Sequence, residues 1–390
     1  MVHFCEINKT DSEHAMVNRG LIQLLSEAYP DQKLKIHVSP SHLDALGFDD
    51  VTFSYLLVQQ VQVLSPVAGS KVQWLKKLWE EGKLLFQLLG RGKNTPAHLL
   101  FFSSLSPLGA FLLSFFSRRW MFKGPVVLTL HGELQLLISK PSKAIDKVYA
   151  RLLGHALKRP GPSLSFLVLD PFVKQFLVQN GFVLPHAIFQ IPHPIRFPAP
   201  EVPDVRPSPP LVIGHIGVAK HSKNSSVFFK WAEKFSYEIE ANHLRFVLAG
   251  AVLPEMVGHT NEYVEHEPGH GFIDEFKFQS LCKEMHYAVF LYQEEHYQLV
   301  SSGALMEAIS FEIPILALRT ARLEALFAQV HPAPGKLYED AEALYQDLVL
   351  FCRYGKQDPS MLSGIRKLKS HYSMPQLAVE LRAALDHKPL

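Results

Sequence analysis

Short apolar runs alternate with longer amphipathic runs along this chain of 390 residues, and the alternation is interrupted once, by a proline-rich segment. Alternation of strand-like and helix-like runs predicts parallel sheets with helices on both faces. The interruption is HPIRFPAPEVPDVRPSPP, His193 to Pro210, whose seven prolines favour a stiff, extended connection. The sequence therefore predicts an α/β protein with two Rossmann-like, doubly wound domains in succession.

The first series contains apolar runs with the length of buried strands. They are Val2–Ile7, Leu34–Val38, Phe53–Val63, His98–Ser103, Val126–Leu130, Leu164–Leu169 and Ile188–Ile191. Helix-like runs between them include Ala15–Glu27, Lys71–Leu89 and Pro171–Asn180. The second series has strands at Leu211–Gly217, Leu244–Gly250, Tyr287–Tyr292 and Ile313–Leu318, a helix from Asn224, a helix after Ser301, and helices from Leu318 to the end.

These series set the predicted domain boundaries. Residues 1–197 form an N-terminal domain, residues 198–210 a linker, and residues 211–390 a C-terminal domain whose last helix is free to cross back to the N-terminal domain. Ligands of open parallel sheets bind outside the carboxyl ends of the strands. We therefore expect the two domains to face each other across a cleft lined by the carboxyl ends of both sheets.

Composition excludes several classes of protein. With 47% hydrophobic and 19% charged residues, the chain is globular and not disordered. Cys5, Cys282 and Cys352 are too few and too scattered for a disulfide framework or a thiolate zinc site, so a reducing, cytoplasmic setting is expected. The first residues lack the basic and then apolar pattern of an export signal, and no Arg-rich, aromatic-interleaved stretch indicates nucleic acid.

One apolar stretch, Leu99 to Phe116, is long enough to be considered as a membrane span. Pro107 and Gly109 interrupt it and four serines dilute it. A buried strand, a turn and a buried helix are therefore predicted in preference to a span.

Charge is unevenly distributed between the two halves. Residues 1–200 contain 21 Lys and Arg against 13 Asp and Glu, a net charge of +8, and residues 201–390 contain 18 against 24, a net charge of −6. A basic N-terminal half favours an anionic partner, either a phosphorylated acceptor or a membrane surface.

Two segments of the basic half combine aromatic side chains with cations. Helix Lys71–Leu89 sets Trp74, Leu75, Leu78 and Trp79 beside Lys76 and Lys77, and SRRWMFK follows at Ser117–Lys123. Such faces dock on anionic lipid headgroups, so peripheral contact with an anionic membrane is one expectation. A packed helix with a solvated basic side is the alternative, and the pattern favours it.

The turn after the first strand of the second series reads GHIGVAKHSKNSS, Gly214 to Ser226. Gly217 permits a tight turn, Asn224 or Ser225 is suited to cap the next helix, and Lys223 lies beside the positive end of that helix. A cation together with helix N–H groups forms an anion site. A capped surface helix with a solvated lysine is the alternative, and the turn lacks the G-x-G-x-x-G of a dinucleotide site.

A second helix start carries unusually small residues, in the segment SSGALMEA. The first N–H groups of a helix have no partner inside it, so those of Ser302, Gly303 and Ala304 are candidates to hold diphosphate oxygens, and the hydroxyl of Ser301 adds a donor. Glu307 lies one turn along on the same face as Gly303, where its carboxylate would accept two ribose hydroxyls. A solvated charge is the alternative for Glu307.

The order IGVAKHSKN, FVLAG and SSGALMEA followed by IPIL resembles the C-terminal domain of retaining glycosyltransferases of family 4, which have the GT-B fold. The segments IPHPI at Ile191–Ile195 and LTLHGE at Leu128–Glu133 add to the resemblance, which is strongest over Leu211–Leu318. The resemblance implies that two domains clasp a nucleotide-sugar, that the C-terminal domain binds the nucleotide, and that a histidine at the position of His131 contacts the donor sugar.

Two departures from the family pattern are visible. Val218 stands where the family often has arginine, so Lys223 would bear the phosphate charge, and Leu299 stands where the family has the first of two paired glutamates, leaving Glu307. The resemblance assigns catalytic roles to His131, Lys223 and Glu307. No metal is expected, because Lys223 and the helix start would supply the positive charge. Consistently, the sequence has neither Asp-x-Asp nor histidines with paired metal spacing and a nearby carboxylate.

Three residues of the first series are candidates to contact the donor or acceptor sugar. His131 follows an apolar strand directly, with a capping histidine in a turn as the alternative, and Glu133 is a weaker candidate beside it. His14 lies in the loop NKTDSEH, where capping of the next helix together with Asp11 and Ser12 is the favoured alternative.

These observations predict a metal-independent, retaining glycosyltransferase. It would move a sugar, with glucose favoured, from a UDP-sugar to a saccharide or lipid-linked acceptor in the synthesis of a bacterial polysaccharide, in the cytoplasm or at the inner face of the membrane. A nucleotide-sugar epimerase of the same fold and a non-catalytic nucleotide-sugar-binding protein are the alternatives.

Overall fold

The computed structural model describes residues 1–11, 13–48, 56–64, 70–91, 99–119, 124–139, 143–195, 201–203, 206, 208–267, 273–292, 299, 302–354 and 358–386. Contacts divide the chain into two compact units. Unit 1 comprises Met1–Pro194, Leu299–Ser301 and Met374–Leu390, and unit 2 comprises Ile195–Gln298 and Ser302–Ser373.

Unit 1 contains a parallel sheet of seven strands in the order β3-β2-β1-β4-β5-β6-β7. The strands are β1 Val2–Glu6, β2 Leu34–Val38, β3 Leu56–Gln60, β4 Leu99–Ser104, β5 Val126–Leu130, β6 Leu164–Val168 and β7 Ile188–Gln190. The helices are α1 Ala15–Ala28, α2 Pro40–Leu46, α3 Lys71–Arg91, α4 Pro107–Arg119, α5 Ala144–Lys158, α6 Pro171–Gln179 and the C-terminal α14 Met374–Asp386.

Strand residues of unit 1 alternate between two apolar cores, one on each face of the sheet. Cys5, Phe102 and Leu128 pack with α3, α4, α5 and α6, and Phe4 and Phe101 pack with α1, α2 and α14. Both faces of each central strand are therefore apolar, which explains why these strands read as continuous hydrophobic runs.

Unit 2 contains a parallel sheet of six strands in the order β10-β9-β8-β11-β12-β13. The strands are β8 Leu211–Ile216, β9 Leu244–Ala249, β10 Val264–Glu265, β11 Tyr287–Phe290, β12 Ile315–Leu318 and β13 Gly335–Tyr338. The helices are α7 Ser225–Lys234, α8 Ser236–Glu240, α9 Glu275–Glu284, α10 Gly303–Ser310, α11 Ala321–Phe327, α12 Ala341–Tyr354 and α13 Pro359–Ser370. Helices cover both faces here too.

The structure confirms two parallel, doubly wound sheets and the strand, turn and helix over Leu99–Phe116. Among the described residues, no helix combines the length and the apolar character needed to cross a membrane. The sequence predicted helices and no further strand after Leu318. This prediction was wrong, because β13 follows and pairs with β12. A Cβ on Gly335 would lie 1.9 Å from the carbonyl oxygen of Ile315, so only glycine permits this approach.

Candidate functional site

Gly217 follows β8 of unit 2 directly and brings two other predicted site residues close together. Its φ of +84° is a conformation that side chains other than glycine rarely adopt. A Cβ at this position would lie 3.0 Å from Nζ of Lys223 and 3.5 Å from Cβ of Ala304. The turn after β8, the Lys223 side chain and the start of α10 therefore meet at one point, at the carboxyl end of the sheet.

The ammonium group of Lys223 is held inside this turn and does not extend into solvent. The residue is only 9% exposed, and its Nζ lies 3.4 Å from the carbonyl oxygen of Ile216 and 5.4 Å from the ring centroid of Tyr292. An aromatic face stabilises a nearby cation but only partly offsets the cost of removing it from water. A cation held in this way at the carboxyl end of a parallel sheet is suited to bind an anion.

Helix α10 begins beside this ammonium, since Ala304 and Lys223 both approach Gly217. Ser302 is the N-cap, and its Oγ accepts from the N–H of Leu305 at 3.3 Å and lies 3.4 Å from the hydroxyl oxygen of Tyr292. Gly303 is exposed, and a Cβ there would meet no atom of the described residues within 4 Å. The helix start is thus open to a ligand, while Ser301 lies outside the described residues.

Glu307 lies one turn further along α10 and is half-buried. Its neighbours Leu305, Met306, Ala308 and Ile309 are buried in the apolar core of unit 2. Glu307, the acidic residue of α10, therefore lies at the edge of the face that packs in the core.

Hydrogen bonds behind Lys223 fix the turn that carries it. Asn224 occupies the N-cap position of α7 with a φ of +53°, but its side-chain amide donates to the carbonyl oxygen of Leu291 at 2.9 Å and makes no capping hydrogen bond. The hydroxyl oxygen of Ser225 accepts from the N–H of Lys220 at 3.0 Å and lies 2.9 Å from Nε2 of His215. His215, which the sequence reading missed, thereby supports this turn from the core.

Burial and the nearby charge of Lys223 lower the pKa of His215 from 6.5 to about 3. The folded protein therefore keeps His215 neutral at pH values where the unfolded chain protonates it. Below pH ~6.5 the unfolded chain binds a proton at His215 that the folded protein does not bind. Acid therefore favours the unfolded state, so the free energy of unfolding has its full value above pH ~6.5 and falls as the pH is lowered toward 3.

We expect His215→Gln to reduce the loss of stability between pH ~6.5 and 5 by about 2 kcal/mol, since a folded-state shift is worth about 1.4 kcal/mol per pH unit. Urea unfolding at both pH values measures this difference. His186→Gln changes an exposed histidine and should keep the pH dependence of the parent protein. Equal pH dependence in His215→Gln and the parent protein would contradict the assignment.

Unit 1 has a cavity of about 320 Å³ at the carboxyl ends of β1, β4 and β5. It is lined by residues that directly follow these strands and by the loop before α1: Asn8, Lys9, His14, Ser104, Leu105, Ser106, Pro107, His131, Gly132 and Glu133. The three predicted sugar-contacting residues of the first series thus lie in one cavity.

The ring of His131 is oriented by a backbone group. Its Nε2 lies 2.8 Å from the carbonyl oxygen of Ser103, and because a carbonyl only accepts, Nε2 carries a proton. The N–H of His131 donates to Oε1 of Glu133 at 2.9 Å. Glu133 thus uses one carboxyl oxygen to fix the backbone that presents His131.

His14 lies against His131, with ring centroids 4.6 Å apart. Burial, followed by the charges of His131 and Lys9, lowers the pKa of His14 to about 2, so its ring is neutral. It occupies the N-cap position of α1 with a φ of +63° but makes no side-chain cap, and its buried Nδ1 has no hydrogen-bond partner among the described residues.

A buried polar network, which was not predicted from the sequence, holds the residues that line this cavity. Glu6 is 0% exposed, and its carboxyl oxygens accept from the N–H groups of Asn8 and Lys9 at 3.0 and 2.9 Å. They also accept from Asn18 at 3.2 Å and from the hydroxyl of Ser104 at 2.8 and 2.9 Å. Four residues near the cavity therefore share one acceptor.

Leu299 lies in unit 1 although residues on both sides of it in the chain belong to unit 2. It is 1% exposed, packs in the apolar core that includes Leu128 and Leu134, and its N–H donates to Oε1 of Gln135 at 3.4 Å. Leu299 is therefore a buried packing residue. Within the described part of the chain, no group of three or more His, Cys, Asp or Glu is arranged to hold a metal ion.

Comparison with solved structures finds the same architecture along nearly the whole chain. Sucrose-phosphate synthase from Thermosynechococcus elongatus aligns with a TM-score of 0.67 at 12% identity, over 97% of this chain and 96% of that one. HepE of Anabaena, in complex with UDP and glucose, gives a TM-score of 0.68 at 13% identity, over 99% of both chains. WaaG, a glycosyltransferase involved in lipopolysaccharide biosynthesis, gives 0.62 at 12% identity, over 99% and 100%.

The chain has the GT-B fold. Its neighbours are GT-B glycosyltransferases, but at such low identity a shared GT-B fold does not fix a shared reaction. No family model and no curated protein sequence matches the chain. The activity must therefore be argued from the two sites themselves.

Proposed function

We propose that this GT-B chain is a metal-independent, retaining glycosyltransferase of family 4 that moves a sugar from a UDP-sugar to a saccharide or lipid-linked acceptor. The observation that carries the proposal is the Lys223 ammonium, held beside Gly217 at the open start of α10. A buried cation and helix N–H groups that converge at the carboxyl end of a parallel sheet form a site for a diphosphate.

Departure of a nucleoside diphosphate from the sugar places growing negative charge on the diphosphate oxygens. The ammonium of Lys223 and the N–H groups of Ser302, Gly303 and Ala304 would stabilise that charge, with Ser301 as a further donor in the proposal. Preorganised donors of this kind contribute about 3 kcal/mol each in a water-excluded site. A divalent ion is then not needed for this task.

Glu307 would accept the two ribose hydroxyls of the nucleotide. Its position at the edge of the packed face supports this role, because a carboxylate beside apolar neighbours gains from two hydrogen-bond donors. The backbone N–H groups at the start of α10 would then bind the diphosphate.

The unit 1 cavity would receive sugar hydroxyls. His131 offers Nδ1, since its Nε2 is occupied by Ser103, and neutral His14 adds an uncharged donor or acceptor. The free oxygen of Glu133 is a further acceptor. Retention of configuration would follow from acceptor attack on the face that the diphosphate leaves, as the family resemblance implies.

UDP and a glucose-type sugar are proposed because HepE, whose fold this chain shares, was solved with UDP and glucose and with UDP-glucose. The role of WaaG in lipopolysaccharide biosynthesis supports a polysaccharide or lipid-linked oligosaccharide acceptor. A bacterial, cytoplasmic setting with peripheral contact at the inner face of the membrane is part of the proposal. A non-catalytic nucleotide-sugar-binding protein is the second candidate, favoured by Val218 and by the burial of Leu299. An epimerase of the same fold is the third.

Calorimetric titration of the protein with UDP, GDP and ADP, with and without magnesium, tests the proposal. We expect micromolar binding of UDP that magnesium does not change, because Lys223 and backbone donors supply the positive charge. Failure to bind any of the three nucleotides would eliminate the diphosphate site.

Turnover of the donor then separates the candidates. A transferase releases UDP from UDP-glucose in the presence of acceptor, and slowly by transfer to water without it. An epimerase instead converts the sugar in the nucleotide-sugar pool. Tight binding without either reaction would favour the non-catalytic candidate.

A further inference from the structure

A second concave surface of unit 1 lies along α5, and no step of the proposed reaction uses it. Its volume is about 490 Å³. Sites for small molecules have volumes of about 300 to 1,000 Å³, so this surface is large enough to hold one. We call it the α5 groove, and its lining residues are Leu137, Ala150, Arg151, Gly154, His155, Lys158, Arg159 and Phe182.

Four of the eight described residues that line the α5 groove are basic, and none is acidic. Arg151, His155 and Lys158 recur on one face of α5, because they are four and three residues apart. Arg159 follows at the C-cap of the helix. Arg151, Lys158 and Arg159 are exposed, and their side chains make no hydrogen bond or ion pair with any residue that the structure describes. The groove therefore carries positive charge that no acid of its lining offsets.

Stabilisation of the helix end explains only part of this cluster of cations. Cations near the C-terminus of a helix interact favourably with its dipole, but the effect falls off within the last turn. Lys158 and Arg159 lie there, whereas Arg151 lies about two turns earlier. Like charges on one face repel each other, and an anion bound among them converts this repulsion into attraction.

The remaining residues of the lining are uncharged and include an aromatic ring. Phe182 follows α6 in the chain, is half-buried, and stacks on Phe176 with ring centroids 6.5 Å apart. A Cβ on Gly154 would lie 3.9 Å from Cδ2 of Leu137, so the glycine leaves space between α5 and Leu137. The groove thus combines cations with an apolar surface for a carbon skeleton.

We propose that the α5 groove binds a free phosphorylated sugar. The phosphate contacts Arg151, Lys158 and Arg159, and the carbon skeleton packs against the ring of Phe182. A phosphate ester carries nearly two negative charges at pH 7, and the arginine guanidinium binds phosphate through two parallel hydrogen bonds. A neutral saccharide fits less well, because it leaves the three cations without an anion. The proposal goes beyond the proposed function, because it adds a ligand that is neither donor nor acceptor.

The α5 groove is distinct from the unit 1 cavity, although one segment borders both. The 3₁₀ turn Gly132–Leu137 has its first residue in the lining of the cavity and its last in the lining of the groove. A 3₁₀ helix rises ~2 Å per residue, so the two ends of this turn lie about 10 Å apart. A ligand in the groove therefore leaves the cavity proposed to receive sugar hydroxyls accessible.

Calorimetric titration of the full chain with glucose 6-phosphate tests the groove, in the presence of excess UDP to keep phosphate from Lys223. We expect binding of glucose 6-phosphate, weaker binding of inorganic phosphate, which has no carbon skeleton, and no binding of glucose. Arg151→Gln and Arg159→Gln should each weaken binding of glucose 6-phosphate about tenfold, the effect of losing one charge-assisted hydrogen bond.

Gly154→Leu fills the groove without removing a charge. Of the described residues, only Leu137 lies within 4 Å of a Cβ at this position, at an ordinary contact distance, and leucine favours a helix more than glycine does. The variant should therefore keep the stability of the parent protein, as measured by thermal unfolding without ligand. It should weaken binding of glucose 6-phosphate by at least about tenfold, because its side chain occupies the space of the ligand.

Arg353→Gln is the matched control. It removes an exposed arginine near the end of α12 in unit 2, so it makes the same change in net charge outside the groove. It should leave the affinity within about twofold, as expected of a solvated charge. No binding of glucose 6-phosphate, or equal affinity in Arg151→Gln and the parent protein, would overturn the proposal. Equal losses in Arg151→Gln and Arg353→Gln would overturn it in favour of attraction by overall charge.

The outcome is independent of the UDP titration. UDP binding without glucose 6-phosphate binding would leave the proposed function intact and refute the groove. Glucose 6-phosphate binding that requires Arg151, without UDP binding, would support the groove and eliminate the diphosphate site.

Discussion

Replacing Lys223 with alanine is expected to weaken binding of UDP about a hundredfold, measured by calorimetric titration. The ammonium is buried beside the ring of Tyr292 and the start of α10, so its attraction for a diphosphate is poorly screened by water. Losing one partner of a buried charge pair costs 2 kcal/mol or more, and about 2.7 kcal/mol corresponds to a hundredfold change. Stability should not fall, because the substitution removes a cation from a desolvated position.

Lys230→Ala is the control for Lys223→Ala. Lys230 is an exposed lysine on α7, a few residues beyond Lys223, so its removal makes the same change in net charge outside the site. It should leave UDP affinity within about twofold, the effect expected of a solvated charge. If both variants lost affinity equally, attraction by overall charge rather than a site at Lys223 would explain binding.

Replacing Glu6 with alanine is expected to lower the free energy of unfolding by about 4 kcal/mol, because the loss of one buried acceptor leaves several donors unsatisfied. Glu6 is fully buried and accepts from Asn8, Lys9, Asn18 and Ser104. Urea unfolding followed by circular dichroism measures the change. Glu6→Gln should cost less, since one oxygen remains to accept.

Glu13→Ala is the matched control in the same segment. Glu13 pairs with Lys9 at the surface, where its side chain is 57% exposed, so its loss should cost less than about 1 kcal/mol. A similar small loss for Glu6→Ala would mean that water replaces the missing acceptor. The buried network would then not be what holds the loop before α1 in place.

The turn of unit 2 was largely predictable from sequence because its geometry is local. Gly217 and Lys223 are six residues apart, and the start of α10 is marked by small residues in succession. Alternating apolar runs likewise predicted most strands to within two residues. Only the approach of Ala304 to Gly217 required the fold, because these residues are separated by β9, β10 and β11.

The hydrogen bonds of Glu6 beside the unit 1 cavity could not be predicted from local sequence patterns. Glu6 ends an apolar strand and looks like a solvated acid, yet its partners Asn18 and Ser104 lie on other elements, the second of them 98 residues away. Pairing across parallel strands brings them together, and no local pattern encodes that pairing. His215 was missed for the same reason, since a histidine in a strand gives no indication of a serine partner.

The remaining differences between the predicted and the observed elements involve short elements and one helix that has both a packed and an exposed side. Strand β13 has only four residues, too few for a clear pattern in the sequence, and the need for glycine at position 335 follows from its contact with β12 in the structure. Helix α2 was not predicted, although Ser39 caps it and Pro40 begins it. On α3, the sequence grouped Trp74 and Trp79 together, with a packed helix as the favoured interpretation. In the structure Trp74 packs against Tyr149 and Trp79 is exposed.

The position of α14 has a consequence for synthesis on the ribosome. Met374, Leu377 and Leu381 of this helix are buried in the same core as Leu21 and Leu25 of α1. Translation proceeds from the N-terminus, so every residue of unit 2 emerges before the helix that covers α1. The nascent chain must therefore carry an uncovered apolar face on its first helix throughout elongation, and the unit made first is the last to be completed.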